Sequence, residues 1–157
     1  MQENVAAKGL AERRCLIVHG DGDYRFEQRR QQTPSVSNDL NVYEGKLDVG
    51  QLNELVEILN KPEVQTLPDY VPPRFPISTA TLEMLTAEFT VNGVPCHVGY
   101  FNSAGSITPG TSPENTPENI KNDWSKSRSV LRPLASWFRK VETGSLERVT
   151  SKESSCA

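Results

Sequence analysis

Few residues in this chain have the types and spacing that chemistry requires. His19-Gly20-Asp21-Gly22-Asp23 sets an imidazole and two carboxylates within five positions. Such a set can hold a divalent cation or share a proton in acid–base work. The spacing is not that of a calcium loop, which needs more oxygen ligands and an acidic closing residue. A hairpin tip that uses Asp21-Gly22 for positive φ accounts for the same residues. His19, Asp21 and Asp23 therefore define a hydrolase-type alternative, and no metal site is assigned.

Cys96-His97 sets a nucleophile beside a base, the pairing that thiol catalysis needs. Both residues fall in an expected strand, where neighbours point to opposite faces. Cys96 then turns to the core and His97 to solvent, so no dyad forms. Ser103-Ala104-Gly105 lacks the glycine two positions before the serine that a nucleophile elbow requires. Phosphate-cradling glycine motifs are absent. No catalytic residue is assigned and no cofactor is expected.

Five arginines, Arg13, Arg14, Arg25, Arg29 and Arg30, gather on the arms of one expected hairpin. Counted out from an Asp21-Gly22 tip, Arg14 faces Arg29 and Arg13 faces Arg30. Like charges opposite one another are unfavourable. Glu12 and Glu27, fraying of the ends, or an anionic partner would relieve them. Arg14, Arg29 and Arg30 are accordingly the candidate binding residues.

Three cysteines occur without a CxxC, which removes zinc and thioredoxin-type readings. Cys15 and Cys96 are expected as buried thiols and Cys156 as an exposed tail thiol. A Cys15–Cys96 disulfide would need neighbouring strands and an oxidising compartment.

The element that best organises the chain is the stretch from Thr81 to Phe101. Two apolar, β-branched runs flank Asn92-Gly93, which suits a type I′ turn. This loop pairs Val91 with Val94, Phe89 with Cys96, Ala87 with Val98 and Leu85 with Tyr100 on one apolar face. Thr90 with Pro95, Glu88 with His97 and Thr86 with Gly99 fall on the other. Pro95 cannot donate to a ladder, which puts the second strand at an edge.

The Arg13–Gln31 hairpin is read with His19 opposite Tyr24, Ile17 opposite Phe26 and Cys15 opposite Gln28. Leu16 and Val18 then share the other face with Glu27 and Arg25. Asn41–Leu47 is a third strand. Asp48 caps a helix, with Gln51 completing a capping box and Leu47 with Leu52 forming a staple. Leu52, Leu55, Val56 and Leu59 form its apolar stripe, and Asn60-Lys61-Pro62 ends it.

Residues 62–78, with five prolines, read as an extended crossing that docks Val64, Leu67, Tyr70 and Phe75. Residues 102–115 read as a mobile loop. Thr116 and Pro117 then open a helix carrying Ile120, Trp124 and Leu131. Pro133 should kink or break it, and Leu134, Trp137, Phe138 and Val141 continue the stripe.

These readings give an α+β fold. A mainly antiparallel sheet of about five strands carries one helix on a face, with a kinked C-terminal helix beside it. Residues 13–142 form the single domain, between a disordered lead (1–12) and a disordered tail (143–157). The 36% hydrophobic content suits a core with polar ends. Formal charge is −3, and residues 1–47 hold seven acids and seven bases. That balance argues against a nucleic-acid surface. No apolar run reaches the roughly 18 residues of a membrane span, and residues 1–10 lack an apolar signal core. The chain as written is expected in the cytoplasm, or exported if a leader has been lost. The expected function is a small non-catalytic interaction or accessory domain with an unidentified protein partner.

Overall fold

A computed structural model describes residues 1–7, 10–32, 38–71, 81–104, 124–142, 147–149 and 154–156. The strands are β1 (Gln2–Ala7), β2 (Leu10–Val18), β3 (Asp23–Gln32), β4 (Asn38–Lys46), β5 (Thr81–Val91), β6 (Val94–Ala104) and a short β7 (Glu147–Val149). The helices are α1 (Val49–Leu59), α2 (Pro62–Gln65) and α3 (Ser125–Glu142). All strands join one antiparallel sheet in the order β6-β5-β1-β2-β3-β4-β7. The class is α+β, with six long strands and one three-residue strand where about five were expected.

The additional strands come from both ends of the chain. The lead expected to be disordered supplies β1, which bridges the β5–β6 hairpin and the β2–β3–β4 meander. Its sequence, Gln2-Glu3-Asn4-Val5-Ala6-Ala7, has little apolar alternation. It is held because Glu3, only 1% exposed, is gripped by arginines from β2 and α3. The tail expected to be disordered supplies β7 and a disulfide through Cys156. Of the expected loop 102–115, residues 102–104 belong to β6 and the rest lie outside the described residues.

The β5–β6 hairpin adopts the expected register, with every pair from Val91↔Val94 to Thr81↔Ala104 formed. Asn92 (φ 51°) and Gly93 (φ 79°) make the turn in the left-handed region, as a two-residue hairpin loop demands. β6 is an edge strand, which suits Pro95. The Tyr70 N–H donates to the His97 carbonyl on its outer side at 2.9 Å.

The β2–β3 hairpin is offset by one residue from expectation. Gly20, Asp21 and Gly22 form a three-residue loop: the Gly22 N–H donates to the His19 carbonyl at 3.0 Å, and the His19 N–H to the Asp23 carbonyl at 2.8 Å. Gly22 takes φ 88°, the left-handed residue that follows the turn in such loops. Pairing therefore runs Val18↔Tyr24, Leu16↔Phe26 and Cys15↔Glu27. A one-residue shift exchanges the two faces. Leu16 joins Tyr24 and Phe26 in the core, with Val18 packed against it, and Cys15 turns to the opposite face.

The helices cover that core face. Asp48 caps α1, accepting from the Gln51 N–H at 2.7 Å while the Gln51 side chain accepts from the Asp48 N–H at 3.0 Å. Ile58 is the buried residue of α1, and Leu52, Leu55 and Leu59 pack partly against the core. Val56, expected in the stripe, is 47% exposed. Pro62–Gln65 is a short helix, not extended chain. Val64, Leu67 and Tyr70 dock as expected, and Phe75 lies outside the described residues.

α3 runs on through Pro133, which sits on its exposed side. Ser127, Leu131, Leu134, Phe138 and Val141 recur at helical spacing and are buried, with Trp137 beside them. The Trp137 Nε1–H donates to the Gln51 carbonyl at 2.9 Å, tying α3 to α1. The expected start at Thr116 and Pro117, and Ile120, lie outside the described residues.

Candidate functional site

Strand alternation sorts the arginines of the β2–β3 hairpin between the two faces of the sheet. In the observed register Arg13 faces Arg29, Arg14 faces Gln28 and Arg30 faces Glu12. The expected Arg14/Arg29 and Arg13/Arg30 oppositions do not occur, and one like-charge pair, Arg13/Arg29, remains.

Arg14 and Arg30 lie on the helix side with carboxylates. Arg14 reaches Glu3 at 3.2 Å and Glu12 at 3.0 Å, and Arg30 reaches Glu12 at 3.0 Å. Partial burial pushes the Glu12 carboxyl up. Hydrogen bonds from Arg14, Arg30 and Gln28, with the Arg14 charge, outweigh it and hold the group below its usual 4.5. Arg139 of α3 reaches Glu3 at 2.8 Å and Glu83 at 3.3 Å. Glu83 also accepts from Arg128 at 3.1 Å and from the Tyr100 hydroxyl at 3.1 Å. This network joins β1, β2, β3, β5 and β6 to α3. Buried charges with partners on every side are structural elements, since removing one leaves the others uncompensated.

Arg13 and Arg29 lie on the other face, away from α1 and α3. One register row crosses the sheet there: Phe101, Met84, Asn4, Arg13, Arg29 and Leu40, on β6, β5, β1, β2, β3 and β4. The first five of these residues, with Ala6, Ala11 and Gln31 from the next row and Val5 and Glu12 between the two rows, line an open groove of about 340 Å³. Two guanidinium groups stand at one end and Met84 and Phe101 wall the other. Such a surface can accept an anionic group and pack apolar atoms beside it. Of the three candidate arginines, the groove contains Arg29 alone. Arg13, expected opposite Arg30, stands opposite Arg29 in the observed register.

The neighbouring row on this face is Gln2, Cys15, Glu27, Val42 and Val149. Residues 154–156 lie over it as a strap. Cys156 is bonded to Cys15, which is therefore neither a free thiol nor paired with Cys96; Cys96 is free and half-buried. Glu27, 3% exposed, accepts from the Ser154 hydroxyl at 2.6 Å, the Ser155 N–H at 2.7 Å and Arg25 Nε at 2.8 Å. Burial raises its pKa, but these donors and the Arg25 charge more than offset that, leaving it below 4.5. Arg13 and Arg29 also line the crevice beside Ser154 and Cys156, so strap and groove adjoin.

The hairpin tip has a different character. His19, Asp21 and Asp23 are all exposed. Asp21 accepts from the Asp23 N–H at 3.1 Å, and Asp23 pairs with Lys46 at 3.0 Å. These are turn-stabilising contacts. Among the described residues, no group of three or more His, Cys, Asp or Glu could hold a metal ion. Cys96 and His97 point to opposite faces as expected. His97 lies 3.9 Å from Glu88 and edge-on to Tyr70, with ring centres 5.8 Å apart. Burial pushes the Tyr70 hydroxyl up to about 12. A further recess of about 240 Å³ opens between the helices and the sheet, walled by Leu16, Val18, Leu55, Leu59, Phe89 and Trp137.

No helix among the described residues is long and apolar enough to cross a membrane. Comparison of the chain with protein-family models, with curated proteins and with solved structures gave no match.

Proposed function

We propose that this chain is a small non-catalytic interaction domain whose helix-free face binds an acidic segment of a protein partner. The observation that carries the reading is the row Phe101–Met84–Asn4–Arg13–Arg29, which lines an open groove with two cations at one end. Arg13 and Arg29 are cross-strand neighbours on this face, and a carboxylate bound beside them would accept charge-assisted hydrogen bonds. Met84 and Phe101 would pack an apolar side chain beside the acidic one. A short segment suits the groove better than a long polyanion, because the chain as a whole carries a net charge of −3. The Cys15–Cys156 bond favours the exported alternative over the cytoplasm, since disulfides persist in oxidising compartments.

The test uses a fluorescein-labelled peptide of glutamates with one phenylalanine, and a lysine-rich peptide of equal length as control. Fluorescence anisotropy should report saturable, salt-sensitive binding of the acidic peptide alone. Arg29→Ala or Arg13→Ala should abolish it, and Met84→Ala should weaken it. Equal binding by the Arg29→Ala chain would refute the reading. The His19/Asp21/Asp23 alternative gains no support from an exposed tip whose carboxylates hold the turn together.

A further inference from the structure

We propose that residues 154–156 form a redox-controlled strap. In the disulfide form it holds Glu27 away from the Arg13–Arg29 pair and keeps the groove open to anions; reduction releases Glu27 and weakens binding. This inference rests on the reading of the groove as an anion site and concerns how that site is regulated.

The geometry follows from the register. Glu27 precedes Arg29 by two residues on β3, and Cys15 follows Arg13 by two on β2. Glu27, Arg13 and Arg29 therefore share a face as neighbours. Opposite charges at that spacing lie within reach of long side chains. In the closed form the Glu27 oxygens are occupied: Ser154 Oγ and the Ser155 N–H take one each from the strap side, and Arg25 approaches from the far side of the row. Two of these three donors belong to the strap. When it lifts, Glu27 keeps Arg25 and gains freedom to turn toward Arg29. An internal carboxylate there competes with any anion from outside.

The strap can lift without dismantling the core. Among the described residues, the hydrophobic core includes none beyond Val141 and so none of the strap. Glu27 becomes hydrated once uncovered, so no buried charge is left unpaired. Cys156 is half-buried while Cys15 is 6% exposed, which makes the Cys156 sulfur the accessible one. A dithiol reductant attacks it through one thiolate, the Cys15–Cys156 bond breaks and Cys15 leaves as a thiolate. The second thiol of the reductant then resolves the mixed disulfide. Two electrons and two protons pass to the protein as two thiols, and the reductant ends as its own disulfide.

The experiment titrates the same labelled acidic peptide into the full chain before and after treatment with dithiothreitol, with far-UV circular dichroism on the same samples. Affinity should fall about three- to tenfold on reduction, as expected for a nearby compensating charge. Glu27→Gln should bind well in both redox forms. A Ser154→Ala/Ser155→Pro variant keeps the disulfide and removes both strap donors. It should bind weakly even when oxidised, and recover when Glu27→Gln is added. This variant carries the test if reduction unfolds the chain. Arg29-dependent binding that is unchanged by reduction and by Ser154→Ala/Ser155→Pro would overturn the strap and leave the groove standing. Absence of Arg29-dependent binding in either form would overturn both.

Discussion

The two faces of the sheet use the same residue types to opposite ends. On the helix side, Arg14, Arg30 and Arg139 are matched to Glu3, Glu12 and Glu83, and the network is roofed by α3. On the other side, Arg25 is paired with Glu27 and Glu44, Glu27 is also held by the strap, and Arg13 and Arg29 stand opposite one another along an open groove. Neighbouring arginines in the sequence thus have different roles. Arg13 and Arg14 differ by one position, and strand alternation sends one to a groove and the other to a buried ion pair. Charge density along a sequence does not identify a binding surface until the register has assigned each charge a face and a partner.

This contrast makes a graded set of predictions. Phe26 is 1% exposed under α3, so Phe26→Ala should cost about 3–5 kcal/mol in urea unfolding. Met84→Ala on the open row should cost clearly less. Equal losses would mean that the two faces are equally packed. Glu3→Ala leaves Arg14 and Arg139 without their shared carboxylate. A loss of about 3 kcal/mol is expected, at the low end for a broken buried pair because Arg139 is half-exposed. An unchanged unfolding midpoint would show that the network contributes nothing to stability.

Acid should reach both faces. Glu12 and Glu27 both have folded pKa values below 4.5. Each contributes stability that is present above that value and is lost as pH falls through the lower folded pKa. Urea midpoints should therefore decline below about pH 4.5. Glu27→Gln should flatten part of that decline, and a full decline in that variant would exclude Glu27 as a contributor. The smallest stability effect belongs to Arg29→Ala, which should stay within about 0.5 kcal/mol while losing peptide binding. A large destabilisation would make Arg29 structural and erase the distinction between the faces.

The two long hairpins show which features could be read from the sequence. Asn92-Gly93 admits one tight loop, and every pair of β5 and β6 followed from it. Gly20-Asp21-Gly22 offers two glycines, and a turn that uses Gly22 as the left-handed residue takes one residue more than an Asp-Gly loop. That one residue reversed the faces of β2, placed Leu16 in the core and dissolved two of the expected arginine oppositions. The cap at Asp48 was legible because a capping box is local. β1 was not, since its hold on the sheet depends on Arg139, 136 residues beyond Glu3. Cys156 was equally hidden, being bonded to a residue 141 positions away. Arg29 was singled out by residue type, and its place opposite Arg13 required the register.

The place of β1 between β5 and β2 has a consequence for how the sheet is assembled. During vectorial synthesis β1 leaves the ribosome before either hairpin it joins. It can pair with β2 early, but its other edge stays vacant until residues 81–91 have been made. Until then a polar strand with open backbone donors and acceptors is exposed to chance pairing with other chains. The slow step of folding should be the capture of the β5–β6 hairpin by that waiting edge, the longest-range pairing among the six long strands.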